Sequence, residues 1–134
     1  MNDRKLLEAA HKARKNAYAP YSKISVGAAL LTNDGKIYTG ANIENSSYGA
    51  TVCAERSALF SAVSAGEREF SAIAIVGGRC GEEPTDSFYP CGICRQCLRE
   101  FSGGGLKIMT EKCGEPESVS LSELLPMAFS KELL

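Results

Sequence analysis

The sequence predicts an α/β fold, a three-layer α/β/α sandwich on a mixed five-stranded sheet. Three observations lead there. Helical and strand-like apolar periods alternate in the order helix, hairpin, helix, strand, helix, strand. An Asn33-Asp34-Gly35 turn joins two apolar runs, a hairpin signal that brings antiparallel pairing. Helical segments separate the later strands, so the sheet becomes mixed.

Taken in order, residues 3–17 read as a helix. Leu6, Ala10, Ala13 and Ala17 recur at helical spacing, Leu7 widens the stripe, and Ala19-Pro20 ends it. His11, the only histidine, lies on the charged face and reads as a surface residue. Residues 25–32 and 36–40 read as the hairpin strands. Residues 41–50, ANIENSSYGA, have loop composition and lead into a cysteine motif whose pocket they could line. From Val52 to Ala65 the pattern is helical, with Ala54, Ala58, Ala62 and Ala65 on one face and Gly66 as the stop. Small residues there predict close packing on a sheet. Residues 70–77 read as a buried strand and Gly77–Tyr89 as a long loop. Pro90 then opens a second helix, where its missing N–H costs least. Residues 106–110 form a strand and 117–119 a short last one. Ser120 and Glu123 fit a capping box for a helix over 121–125, stopped by Pro126. Without a repeat, a low-complexity segment or a linker, residues 1–134 read as a single domain.

Composition narrows the class. Fifteen Lys plus Arg stand against sixteen Asp plus Glu, a net charge of -1, which provides no electrostatic footprint for nucleic acid or an anionic membrane. The N-terminal segment has no uninterrupted apolar run and reads as no signal peptide. No stretch approaches the roughly 18 apolar residues of a membrane span. Six cysteines in that context read as reduced thiols in a cytoplasm, where metal binding or catalysis outweighs disulfides.

Two stretches carry chemistry: Thr51–Arg56, TVCAER, and Pro90–Gln96, PCGICRQ. They supply three thiols, Cys53, Cys91 and Cys94, and a free carboxylate, Glu55. Three ligands leave a fourth tetrahedral position open for water, as in catalytic zinc sites. Glu55 is then available to move that water's protons. Both pieces fall at helix starts, where free N–H groups and the helix dipole favour thiolates. A structural zinc or iron–sulfur module is the rival reading, because Cys91, Cys94 and Cys97 form C-x-x-C-x-x-C. Six helical residues separate Cys91 from Cys97 by about 9 Å, too far for one zinc with bonds of about 2.3 Å. Cys80, Cys97 and Cys113 therefore read as non-ligand thiols.

TVCAER and PCGICRQ, with the upstream NIEN, resemble the small, homotetrameric, zinc-dependent cytidine deaminases. YSKISVGAALL, GANIENSSYGATVCAERSALF, PCGICRQCLREF and LLPMAF are similar to segments of that family. The resemblance implies a cytidine deaminase-like fold and hydrolytic deamination of cytidine, and of deoxycytidine, in pyrimidine salvage. One zinc per chain would sit on Cys53, Cys91 and Cys94. Glu55 would take a proton from the activated water, deliver it to the pyrimidine ring nitrogen, and help protonate the departing ammonia. Asn42 and Glu44 would bind the ribose hydroxyls, and the Ala54 N–H the base's carbonyl oxygen. Tyr48 and Phe129 would complete the pocket across a subunit interface of a homotetramer. Arg56 would hydrogen-bond the thiolates. Charge supports that role independently, since three thiolates on Zn²⁺ sum to minus one and weaken the metal as a Lewis acid unless donors withdraw charge.

The chain departs from the family pattern in places. Ile24 stands where many members set a phenylalanine against the base, Ser25 replaces a common proline, and Tyr89 stands where serine is frequent. A deaminase acting on a cytosine-nucleoside antibiotic such as blasticidin S shares the zinc motifs; the NIEN segment and the LLPMAF tail favour cytidine.

Overall fold

In the computed structural model, residues 3–134 are described. Helix α1 (Asp3–Arg14) buries Leu6, Leu7, Ala10 and Ala13 along one stripe. It ends at Arg14 rather than residue 17. Lys15, Asn16 and Ala17 bond to carbonyls three residues back, so the last turn tightens and stops. Strands β1 (Ile24–Thr32) and β2 (Ile37–Ala41) form the expected hairpin, with Gly35 at φ 92° in its turn. A short 3-10 turn at Tyr48–Ala50 precedes α2 (Ala54–Ser64). Then come β3 (Phe70–Arg79), α3 (Gly92–Phe101), β4 (Lys107–Lys112), β5 (Glu115–Ser120) and α4 (Leu121–Leu124). The capping box at α4 is present, with the Ser120 N–H and hydroxyl both donating to Glu123.

The five strands lie in the order β2-β1-β3-β4-β5. β3 and β4 pair in parallel and the other neighbours are antiparallel, so the sheet is mixed. Period-two alternation sends Ala29, Ala72, Ala74 and Val76 toward α1. Ala28, Leu30, Ile73 and Ile75 go to the other face, against Ala54, Ala58, Leu59 and Ala62 of α2 and Leu98 of α3. The three layers are therefore α1, the sheet, and α2 with α3. No helix among the described residues is long and apolar enough to cross a membrane.

Close approach explains the small residues. A Cβ on Gly27 would lie 2.0 Å from Ala10 O, and one on Gly40 2.4 Å from Ala58 N. α1 thus rests on β1 and α2 on β2 at backbone distance. Ala65 is exposed and lies past the packed face.

Most element ends shift by one to a few residues from the sequence reading, and three of the shifts bear on the site. β3 continues through Gly77 and Gly78 to Arg79, because both glycines pair with β1 at Val26 and Ser25. The loop accordingly begins at Cys80. α2 starts at Ala54, not Val52, with Cys53 as its N-cap. Pro90 is not helical; Cys91 is the N-cap of α3, and the proline is buried just ahead of it.

Candidate active site

Each of the two helices begins on a cysteine. Cys53 and Cys91 have extended backbones, at φ -71° and -68°, and neither side chain caps its own helix. Their carbonyls accept the first helical bonds, from Ser57 at 3.0 Å and Arg95 at 2.9 Å. A thiol at that place leaves the first helical N–H groups unpaired and itself free for other work. Cys94, one turn into α3, is fully buried.

The three sulfurs converge. All lie within 4.8 Å of one another, and Cys53 and Cys91 are 3.8 Å apart. Sulfurs about 2.3 Å from a tetrahedral metal stand roughly 3.8 Å apart. The set fits zinc in donor type and in this edge length. Protons resist the same crowding. Hydrogen bonding from Cys94, with lesser help from Arg56 and Cys91, holds the Cys53 thiol down to about 5. Cys94 is raised in turn, chiefly by its bond to Cys53, then by burial and the charge of Glu55. Two adjacent sulfurs thus share a proton that a divalent cation would replace.

Glu55 follows one residue into α2 and is 4% exposed. Burial pushes its carboxyl up to about 7, with the Cys53 charge adding to the rise. The nearby Cys94 thiol and the Arg56 charge work against that rise. Ala54, between Cys53 and Glu55, is fully buried and contributes the first N–H of α2. Arg56 Nη2 donates to Cys53 Sγ at 3.7 Å and to Thr51 O at 3.5 Å. The Cys53 thiolate keeps the guanidinium protonated, and its Nε is buried without a partner.

Of the other expected pocket residues, Asn42, Glu44, Ile24 and Tyr48 lie toward one end of the sheet, where β1 begins and β2 and β3 end. Asn42 is buried and clasps β1: Val26 N–H donates to its Oδ1 at 2.8 Å, and its Nδ2 donates to Ile24 O at 2.8 Å. Glu44 accepts from Tyr21 N at 2.9 Å, Ser22 N at 3.2 Å and Ser22 Oγ at 2.5 Å. The Ser22 hydroxyl bond leads the causes that hold Glu44 below the usual carboxylate range. Glu44, Tyr21, Ser22, Tyr48 and Thr51 line a cavity of about 290 Å³. Ile24 is half-buried against the core on the α2 side. The Tyr48 ring meets Tyr21 at 5.6 Å, and Phe129 is exposed near α3, its carbonyl held by Gln96 at 2.8 Å.

His11 takes no part. It bonds Glu111 at 2.7 Å from α1, across the sheet from the sulfurs. Cys97 lies in an unbroken α3 against the core, and Cys80 and Cys113 are exposed elsewhere.

A family model described as the cytidine and deoxycytidylate deaminase zinc-binding region matches residues 1–110. The chain belongs to that family. It is 50% identical over 133 residues to the cytidine deaminase of Sporosarcina psychrophila, covering 98% of this chain and 94% of that one. The cytidine deaminase of Halalkalibacterium halodurans is 46% identical over 133 residues, with 98% and 97% covered. Among solved structures, the cytidine deaminase of Burkholderia pseudomallei superposes with a TM-score of 0.87 at 49% identity, covering 96% of this chain and all of that one. In this cytidine and deoxycytidylate deaminase family chain, the zinc-binding region therefore coincides with a cysteine triad able to hold a metal ion.

Sequence reasoning passed over the partners that set this geometry. The Tyr21 and Ser22 N–H groups hold Glu44, and the Thr51 carbonyl steadies Arg56. None has a motif, because each acts through backbone or one hydroxyl across more than a turn of chain.

Proposed function

We propose that this protein deaminates cytidine, and deoxycytidine, to the uracil nucleoside and ammonia. The observation that carries the reading is the triad of Cys53, Cys91 and Cys94 sulfurs beside the buried Glu55 carboxylate. Family membership and the cytidine deaminases among its relatives support the substrate.

Cys53, Cys91 and Cys94 would hold zinc, which when bound supplies the Lewis acidity that makes water nucleophilic near neutral pH. Glu55 accepts the water's proton as oxygen adds to carbon four of the pyrimidine. The same carboxyl delivers that proton to the ring nitrogen, so charge on the ring is neutralised as it develops. The remaining proton of the added oxygen passes through Glu55 to the amino group, the carbon–nitrogen bond breaks as the carbon–oxygen double bond forms, and ammonia leaves. A carboxyl poised near neutrality serves both directions of transfer. The Ala54 N–H holds the base's carbonyl oxygen, and Arg56 draws charge from the Cys53 thiolate. Asn42 and Glu44 stand at the ribose end. Asn42 spends one donor and one acceptor contact on β1 and keeps its remaining N–H and lone pair for a hydroxyl. Ile24 forms an aliphatic wall against the pyrimidine.

The reading extends to a single cytidine deaminase-like domain over 1–134, supported by a sheet that takes strands from both halves of the chain. It extends to a cytoplasmic enzyme of pyrimidine salvage, supported by exposed cysteines outside the triad, Cys80 and Cys113, that form no disulfide. It extends also to a homotetramer with Tyr48 and Phe129 at shared pockets, supported by their exposure of 73% and 61%. Loss of cytidine absorbance with equimolar ammonia release by zinc-replete protein tests the function. Zinc binding without ammonia would leave a structural zinc module instead.

A further inference from the structure

The pocket end of the sheet is tied down from its far face. Arg14 is the last residue of α1, on the side away from the sulfurs. Its guanidinium donates through Nε to Ser25 O at 3.0 Å, through Nη2 to Arg79 O at 2.7 Å, and through Nη1 to Glu82 O at 2.8 Å. These carbonyls belong to three segments: the start of β1, the end of β3, and the loop that runs on to Pro90. Ile24 faces Arg79 and Ser25 faces Gly78 in the ladder, so the two strands leave the sheet together here. The Cys80 N–H adds one more rung, to Lys23 O at 2.9 Å.

The choice of partners is informative. Glu8, Glu82 and Glu83 line the same cavity of about 870 Å³, yet the guanidinium bonds backbone oxygens. A planar fork with donors on three nitrogens can span three carbonyls; an ammonium, a compact point charge, cannot reproduce that arrangement.

We propose that Arg14 is a positioning residue for the deamination reaction, acting through Ile24. Ser25 is gripped by Arg14 at its own carbonyl, and its neighbours by Asn42 at Ile24 O and Val26 N. The residue set against the pyrimidine is thereby fixed from both sides of β1. The metal side has a separate anchor. Arg95 donates to Pro90 O and to Leu124 O, each at 2.7 Å, and so holds the Cys91 end of α3 without help from Arg14. Loosening Arg14 therefore moves the wall against the base and leaves the three sulfurs in place.

The proposal rests on the cytidine reading, and its test separates the two. Arg14→Ala and Arg14→Lys are compared with the parent for zinc content, melting temperature, kcat and KM on cytidine. Arg14→Ala keeps one zinc and raises KM at least about threefold, with kcat within about twofold, as expected for binding shared by ground and transition states. Arg14→Lys falls between it and the parent. Millimolar ethylguanidinium lowers the KM of Arg14→Ala and leaves the parent unchanged. A lowered melting temperature with unchanged KM would make Arg14 purely structural and overturn the proposal, as would loss of zinc or an equal fall in kcat and kcat/KM. Hydrogen exchange reads the clamp without substrate. Amides of residues 22–27 and 78–83 exchange faster in Arg14→Ala while Ala28–Leu30 do not; unchanged exchange there overturns the proposal even if the parent releases no ammonia from cytidine.

Discussion

Under the proposed function, Glu55 and Ile24 would meet two demands of the pocket, one chemical and one of fit. Glu55 is buried beside sulfur, so its proton is held near neutrality and can move both ways. Ile24 offers apolar area without a ring. Aromatic pairs gain about 0.5–1.5 kcal/mol beyond area burial, and an isoleucine forgoes most of that. The pyrimidine stays in place through the reaction, so the difference falls on substrate and transition state alike. Ile24→Phe is therefore expected to lower KM for cytidine by about two- to fourfold with kcat nearly unchanged. Steady-state kinetics on Ile24→Phe and Ile24→Ala check this; parent-like constants in both would remove Ile24 from the pocket wall. The three cysteines of the triad were legible at this scale because their spacing carries the chemistry. The grip of Asn42 on β1 was not, since it joins residues sixteen to eighteen apart through backbone groups that every residue has.

Helix starts are the elements that build the site. Cys53 and Cys91 occupy equivalent N-cap positions, and Cys94 lies one turn on, so two helix ends present three sulfurs to one point. Cys97 lies a further turn along an unbroken α3 and packs on the core. Replacing Cys94 by alanine is thus expected to abolish zinc binding, while Cys97→Ala keeps one zinc per chain. Metal analysis of the two purified variants decides it, and the reverse pattern would reassign the ligands. The elements themselves were largely readable from apolar period and turn chemistry, whereas their ends were less so. Gly77 and Gly78 look like the start of a loop, but both are strand residues, and Gly77 must be small. A Cβ on Gly77 would meet the Phe88 ring at 2.8 Å, and one on Gly78 would touch Pro84 at 3.4 Å. That requirement arises from a loop folding back over β3, which no local pattern records. Pro90 likewise suggested a first helical residue, and the cap fell to the cysteine after it.

The whole molecule places one helix on one face of the sheet and the site-bearing helices on the other, and several large apolar side chains stay uncovered. Met127 is fully exposed, and Ile93, Phe129 and Tyr48 are more than half exposed. Under the proposed homotetramer these side chains would be covered by neighbouring subunits. Sedimentation equilibrium is expected to return four times the chain mass, and an active monomer would refute the shared pocket. Layer order and the mixed sheet followed from the succession of elements, while the homotetramer is an expectation from family resemblance alone, because an exposed aromatic residue does not name its partner. The most direct test of the account joins metal and chemistry in one sample: zinc content and ammonia release from cytidine, measured together on Glu55→Ala. The account predicts a folded protein with one zinc per chain and turnover lowered at least about 10²-fold, the low end for a general acid–base residue. Parent-like ammonia release from that zinc-replete variant would contradict it.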